Sequence, residues 1–224
     1  MSNIAEHDNS ITMVSVSENL YEAESKKKKS IFIRTLIIGL CVIIVLFAES
    51  LFVTFYTGIY VVDGSMTPTL SGASSPDDKG GDYIYINTHA KPKYGDIVVV
   101  YNPYTTYSRG IDKLIKRVVA FGGDTIELKE GVLYVNGKKV PENYLSAEKN
   151  LPTDPDNTFE EHVVAEGCMF LLGDNRNDSV DSRSKRYGDI PLENLVGVVP
   201  EWSMRTKNFS TAFYTYFHFT IFGK

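Results

Sequence analysis

Leu114-Ile115-Lys116-Arg117-Val118-Val119-Ala120 reads as a buried β-strand carrying two cations. It is short and rich in β-branched residues, and Gly122-Gly123-Asp124 supplies a turn that ends it. Strand alternation sets Lys116, Val118 and Ala120 on one face and Ile115, Arg117 and Val119 on the other. Lys116 is therefore expected to point inward with Val118 while Arg117 points elsewhere. Similar short runs surround it at residues 59–62, 83–86, 97–101, 125–128, 132–135, 168–172 and 195–199. Asn136-Gly137 predicts a type I′ hairpin into residues 138–140. Residues 71–82 and 141–161 read as loops, and no internal repeat is visible. The expected fold is mostly antiparallel β-sheet with a smaller β insertion over residues 125–166.

One segment departs from this pattern. Residues 35–57 are apolar apart from Glu49 and Ser50, long enough to cross the hydrocarbon core, which needs about 20 helical residues. Glu49 is expected at the outer interface, with Phe52, Phe55 and Tyr56 among the headgroups. Lys26 to Lys29 and Arg34 precede the run, so the N-terminus is expected in the cytoplasm and everything after Thr57 outside. A cleavable secretory signal has the same order of basic and apolar regions. Against it stand about 25 polar residues before the lysines and the lack of a small-x-small site, since Ala48 is followed by Glu49, Ser50 and Leu51. An uncleaved anchor is the expected reading, preceded by a disordered polar tail.

Composition narrows the function. The net charge of the 224-residue chain is 23 minus 28, or −5, so nucleic acid is not an expected partner. Cys41 lies in the apolar run and Cys168 in the later domain, which argues against a disulfide. Neither cysteine has metal-ligand spacing and His7, His89, His162 and His218 are scattered, so no metal site is expected.

Gly64-Ser65-Met66-Thr67-Pro68-Thr69-Leu70 follows the apolar run. Gly64 lets a substrate approach the backbone, and Pro68 stiffens the turn after Ser65. A serine hydroxyl needs a base to become a nucleophile. Lys116 in its apolar strand is the candidate, because desolvation favours the neutral amine that an ordinary lysine, with a pKa of about 10.4, almost never holds near neutrality. The plain alternatives are an ordinary turn serine and an edge-strand charge that deters aggregation. Lys113 lies outside the apolar run and is the weaker candidate. A third segment, Gly173-Asp174-Asn175-Arg176-Asn177-Asp178-Ser179-Val180-Asp181-Ser182-Arg183, is a polar loop between two apolar strands. Its side chains can satisfy its own backbone and hold a base in place.

These three segments, in this order after one anchor, resemble the type I signal peptidases over about residues 58–200. The resemblance implies that Ser65 is the nucleophile and Lys116 its general base. It also implies that Ser179 bonds and aims the amine, and that Asp181 and Arg183 form an ion pair holding the loop beside the site. Asp174, Asn175, Arg176 and Ser182 would support that loop, and Met66 and Pro68 would lie close to membrane and substrate. The oxyanion would rest on the backbone N–H of Ser65. Some members add a hydroxyl two residues earlier, where this chain has Asp63, a carboxylate that cannot donate when ionised; Asp63 is expected to point away or cap a turn. Phe121-Gly122-Gly123-Asp124 lacks a proline expected before Gly-Asp. The implied organisation is a polar cytoplasmic tail (1–29), a transmembrane anchor (30–57), a catalytic β core (58–124 and 167–204), the insertion (125–166) and an aromatic C-terminal segment (205–224). That last segment reads equally as an interfacial, lipid-touching element or as a final strand or helix packed on the core.

The implied activity is a cofactor-free endopeptidase that removes signal peptides from exported pre-proteins after small residues. It would act at the outer face of the cytoplasmic membrane, in contact with lipid and near the Sec translocon. Two other readings remain open: a non-catalytic relative that chaperones or docks surface or pilus proteins, and a Ser/Lys self-cleaving regulator of the SOS-repressor kind.

Overall fold

The computed structural model describes residues 2–75, 78, 80–102, 112–150 and 158–221. The chain divides into two units, Met1–Thr54 and Phe55–Lys224. Helix α1 spans Ser2–Phe55, and its stretch Glu24–Phe55 is long and apolar enough to cross a membrane. A helix satisfies its own backbone groups, as hydrocarbon demands. Thr35 and Thr54 turn their hydroxyls back onto the carbonyls of Ile31 and Ser50, so neither leaves an open donor. The N-terminal residues, expected to be disordered, continue the helix. No glycine or proline interrupts the chain before Gly39, and extending a helix costs less than starting one. The helix also stops at Phe55 rather than Thr57, because Tyr56 and Thr57 already pair with Asn87 and Ile86 as strand.

The second unit is built on two antiparallel sheets. Its strands are β1 (Tyr56–Tyr60), β2 (Tyr83–Asn87), β3 (Ile97–Tyr101), β4 (Lys113–Phe121), β5 (Thr125–Lys129), β6 (Val132–Val135), β7 (Lys138–Lys139), β8 (Phe159–Val163), β9 (Cys168–Leu172), β10 (Ile190–Pro191) and β11 (Leu195–Val198), and helix α2 (Glu201–Thr215) follows. The larger sheet runs β1-β2-β11-β3-β4-β9-β10 and the smaller β7-β6-β5-β8. The expected antiparallel β class with one apolar N-terminal helix is what forms. In the small sheet, Asn136 and Gly137 take φ of 53° and 70°, the two left-handed positions a type I′ turn needs between β6 and β7.

Apolar side chains from the large sheet fill both of its faces. Ile97 and Val99 of β3 pack with Val61, Met66, Leu70, Ile84 and Ile86, while Val98 and Val100 pack with Val118, Met169 and Leu171 on the other face. A third cluster joins Phe170 and Leu172 of β9 to Ile126, Leu128 and Leu133 of the small sheet.

Three expectations need correction. A bulge in β4 between Val118 and Ala120 breaks the strand alternation, so Ala120 joins Val119 in the third cluster and not Val118. Residues 159–161, read as loop, belong to β8; Glu160 and Glu161 masked the strand because they are exposed on an outer strand of the small sheet. The rest of that expected loop includes residues 151–157, which lie outside the described residues. Met66 does not face substrate or membrane: it is fully buried with Val61 and Leu70, because an apolar side chain beside the sheet gains more from the core than from solvent. Pro68, by contrast, is exposed.

Candidate active site

The turn after β1 carries Ser65. The Thr67 N–H donates to the Gly64 carbonyl at 3.1 Å and the Leu70 N–H to the Met66 carbonyl at 3.0 Å, which coils residues 64–70 tightly. Met66 and Leu70 anchor this coil in the core. Asp63 adopts φ 76°, a region that aspartate tolerates, and its exposed carboxylate accepts the Gly64 N–H at 2.6 Å. Asp63 thus closes the turn, and Ser65 N–H has no hydrogen-bond partner among the described residues. Gly72 is required opposite: a Cβ there would lie 1.6 Å from the Asp63 carbonyl oxygen.

Strand β4 brings Lys116 to this turn. Its Nζ lies 2.7 Å from Ser65 Oγ, and the two residues are only 4 % and 3 % exposed. Nζ also donates to the Ile115 carbonyl at 2.9 Å. Burial pushes the Lys116 ammonium below the ordinary lysine range, against the opposing pull of Asp181, Asp63 and Asp174. A neutral amine in this place accepts the hydroxyl proton instead of offering its own.

The polar loop clamps the Ser65 turn from the other side. Asn175 N–H donates to the Ser65 carbonyl at 3.0 Å, and Asn175 Nδ2 donates to the Gly64 carbonyl at 3.1 Å. Asp181 pairs with Arg183 at 2.9 Å and accepts the Gly173 N–H. Burial alone would raise the Asp181 carboxyl, yet the Arg183 guanidinium and the Gly173 N–H hold it below the usual range. Ser182 ties the loop to β9 through both its backbone N–H and its hydroxyl oxygen at Leu171. Ser179 is not bonded to Lys116. Its buried hydroxyl lies beside Gly173 with no close hydrogen bond, on the side of the Asp181 carboxylate, whose charge it helps to favour, while the amine's second hydrogen bond goes to the Ile115 carbonyl.

Residues 33–203 match the sequence profile of the family described as signal peptidase, peptidase S26. The chain belongs to the peptidase S26 signal peptidase family. It is 34 % identical over 168 residues to signal peptidase I S of Bacillus subtilis, covering 70 % of this chain and 81 % of that protein. To signal peptidase I P of Bacillus subtilis subsp. natto it is 32 % identical over 193 residues, covering 80 % and 92 %. A crystal structure of a signal peptidase I from Enterococcus faecalis aligns with 30 % identity, 50 % of this chain, 98 % of that chain and a TM-score of 0.40.

Around the Ser65 turn, β4 and the polar loop lies a shell that residue types alone did not reveal. Arg117 reaches across to Asp174, its Nε 2.8 Å from Oδ1, and also donates to the Gly95 carbonyl. Thr69 of the Ser65 turn donates its hydroxyl to the same Asp174, so one carboxylate links turn, strand and loop. Arg176, 1 % exposed, pairs with Glu142, and Tyr144 stacks under the Arg117 guanidinium at 3.8 Å. Glu142 and Tyr144 sit in a stretch that reads as featureless loop, 34 and 27 residues from the cations they hold. Only buried charge seeking a partner connects them.

Gly173 is the tightest point. A Cβ there would fall 2.2 Å from Ser179 Oγ and 2.5 Å from the Ser65 carbonyl oxygen. Gly173→Ala is expected to move the Ser65 turn and lower peptide cleavage by about 10²-fold, the usual consequence of a misplacement near 1 Å. A folded variant, by circular dichroism, with the parent rate would contradict this.

Proposed function

We propose that this protein is a membrane-anchored serine endopeptidase that cleaves signal peptides from exported pre-proteins with Ser65 as nucleophile and Lys116 as general base. The observation that carries the reading is a buried, depressed amine 2.7 Å from a serine hydroxyl. The names of the relatives support the substrate class.

Beside the pair runs a cleft of about 1110 Å³, lined by residues that include Gly58, Val61, Gly64, Ala73, Leu114 and Ile115. Strand β1 sits at the sheet's edge, and residues 113–116 of β4 pair with β3 on one side while β9 begins its pairing only at Arg117. An extended peptide can lie between these two backbone edges, donating and accepting main-chain hydrogen bonds. Among a lining that also carries Tyr60, Asp63, Asp112 and Lys113, the aliphatic Val61, Leu114 and Ile115 and the small Gly58, Gly64 and Ala73 can receive small side chains next to the cleaved bond.

In the reaction, neutral Lys116 takes the Ser65 proton as Oγ attacks the scissile carbonyl carbon. The resulting oxyanion sits against Ser65 N–H, the free donor of the turn. The Lys116 ammonium then protonates the leaving amine, and the C–N bond breaks to leave an ester on Ser65. Water gives a proton to Lys116 while attacking the ester, and Ser65 leaves with that proton. Asp181, Arg183 and Asn175 position the loop that holds the turn, and Ser179 packs against Gly173 within that loop.

The apolar helix and the lysines before it support an extracytoplasmic location for the second unit, with the tail in the cytoplasm. A site there meets pre-proteins as they leave the Sec translocon. In the reconstituted full chain, Ser65→Ala is expected to abolish pre-protein processing and labelling by a serine-directed phosphonate. Processing that persists in Ser65→Ala would overturn the proposal.

A further inference from the structure

Four buried charges form a closed ring around the polar loop. Arg117 of β4 sets its Nε 2.8 Å from Asp174 Oδ1. Two residues along the loop, Arg176 forks onto Glu142, with Nη1 3.2 Å from Oε2 and Nη2 on Oε1. The Tyr144 hydroxyl donates to that same Oε1, and the Tyr144 ring lies 3.8 Å under the Arg117 guanidinium, which closes the ring. Two cations thus alternate with two carboxylates, and the side chains of Arg176 and Glu142 are only 0 % and 7 % exposed. A guanidinium held by a carboxylate fork or an aromatic face is fixed in orientation as well as in place. Burial and the Glu142 carboxylate push the Tyr144 phenol above the ordinary tyrosine range, so it stays a donor.

The ring reaches the Ser65–Lys116 pair by two routes. Arg117 follows Lys116 in β4, so holding Arg117 sets the strand at the point where the amine leaves it. Arg176 Nε donates to the Gly173 carbonyl at 3.1 Å, and Gly173 packs closely enough on the Ser65 turn that a Cβ would meet the Ser65 carbonyl oxygen. Among the described residues, neither Glu142 nor Tyr144 lines the cleft, and Glu142 is not one of the carboxylates that pull on the Lys116 amine. Their route to the reaction is therefore the placement of its groups, not contact with substrate or charge on the base.

We propose that Glu142 and Tyr144, from the segment after β7, are positioning residues that close this ring and so hold the Ser65 turn and the Lys116 strand in register. The inference rests on the Ser65–Lys116 reading of the site. The clamp works because the interior penalises a guanidinium without its partner, so Arg117 and Arg176 have one favourable arrangement each. Through them a segment attached to the small sheet sets geometry in the large one.

In the full chain in detergent, Tyr144→Leu is expected to lower kcat for a soluble peptide about 10-fold, with KM changed less than about 2-fold. The rate constant of phosphonate acylation should fall by the same factor per labelled site. A loss of stability alone lowers the number of sites that label but not the rate constant of each, so the two effects separate. Tyr144→Phe, which keeps the ring under Arg117, is expected to recover most of both rates. Hydrogen exchange gives a readout that needs no chemistry. In a Ser65→Ala background, Tyr144→Leu is expected to speed exchange of the Thr67 and Leu70 amides, which bond the Gly64 and Met66 carbonyls, and to leave β5 and β6 unchanged. Parental acylation constants in both Tyr144→Leu and Glu142→Gln would overturn the proposal. So would a raised KM at parental kcat, which would put these residues in substrate binding, or unchanged exchange at Thr67 and Leu70. A parent chain that neither cleaves nor labels, with exchange responding as expected, would sink the Ser65–Lys116 reading and leave the clamp on the turn standing.

Discussion

Lys116→Met is expected to cut the rate of peptide bond cleavage by about 10²–10⁴-fold or more, the range that a positioned general base contributes. Methionine keeps the length and fills the apolar surroundings without the amine, so the fold should survive. In the parent enzyme the cleavage rate is expected to rise with pH as Lys116 loses its proton, at a pH below the ordinary lysine range because burial depresses the amine despite the pull of Asp181, Asp63 and Asp174. Asp63→Asn removes one of those opposing carboxylates and should move this rise to lower pH. Stability responds in the same sense. Between the depressed folded value and the ordinary value of 10.5, the unfolded chain binds more protons, so the parent gains stability as pH rises through that window. Lys116→Met lacks this gain and should be relatively more stable below the window. Urea melts at several pH values, followed by Trp202 fluorescence, measure this directly. A rate independent of pH, or parallel stability curves for parent and variant, would show that the amine is not held neutral.

Asp174→Ala should be the most destabilising single change near the site, costing about 3–5 kcal/mol, because it strands a buried guanidinium. Arg117 is 8 % and Asp174 1 % exposed, and burial works against the Arg117 charge until the Asp174 hydrogen bonds restore it. The same carboxylate receives the Thr69 hydroxyl, so its loss should also loosen the Ser65 turn and lower activity. Arg117→Met combined with Asp174→Leu removes both charges, and the double-mutant cycle should show the pair costing less than Asp174→Ala alone. A cost below about 1 kcal/mol for Asp174→Ala would place the pair with exposed ion pairs and against this account.

Much of the site is visible in residue type and order. Ser65, Lys116 and the segment 173–183 declare themselves because a lysine in an apolar strand and a dense polar loop between apolar strands are each costly without a purpose. The hairpin at Asn136-Gly137 is equally legible, because only left-handed φ values suit it. What stayed hidden depended on distant partners. Nothing local in Glu142 announces that it will hold Arg176, or in Thr69 that it will meet Asp174. The amine's second hydrogen bond goes to the Ile115 carbonyl, a partner set by backbone position rather than residue type.

Read alone, the sequence determined the apolar helix, the antiparallel strands and the Ser65 turn and Lys116 as candidates, because periodicity and desolvation act over a few neighbouring residues. The tertiary structure alone decided that the β4 bulge would carry Ala120 away from Val118, that Met66 would enter the core and that α2 would turn its aromatic face outward. These outcomes follow from satisfying backbone donors and buried charges across the sheet, and such partners are chosen only when remote segments meet.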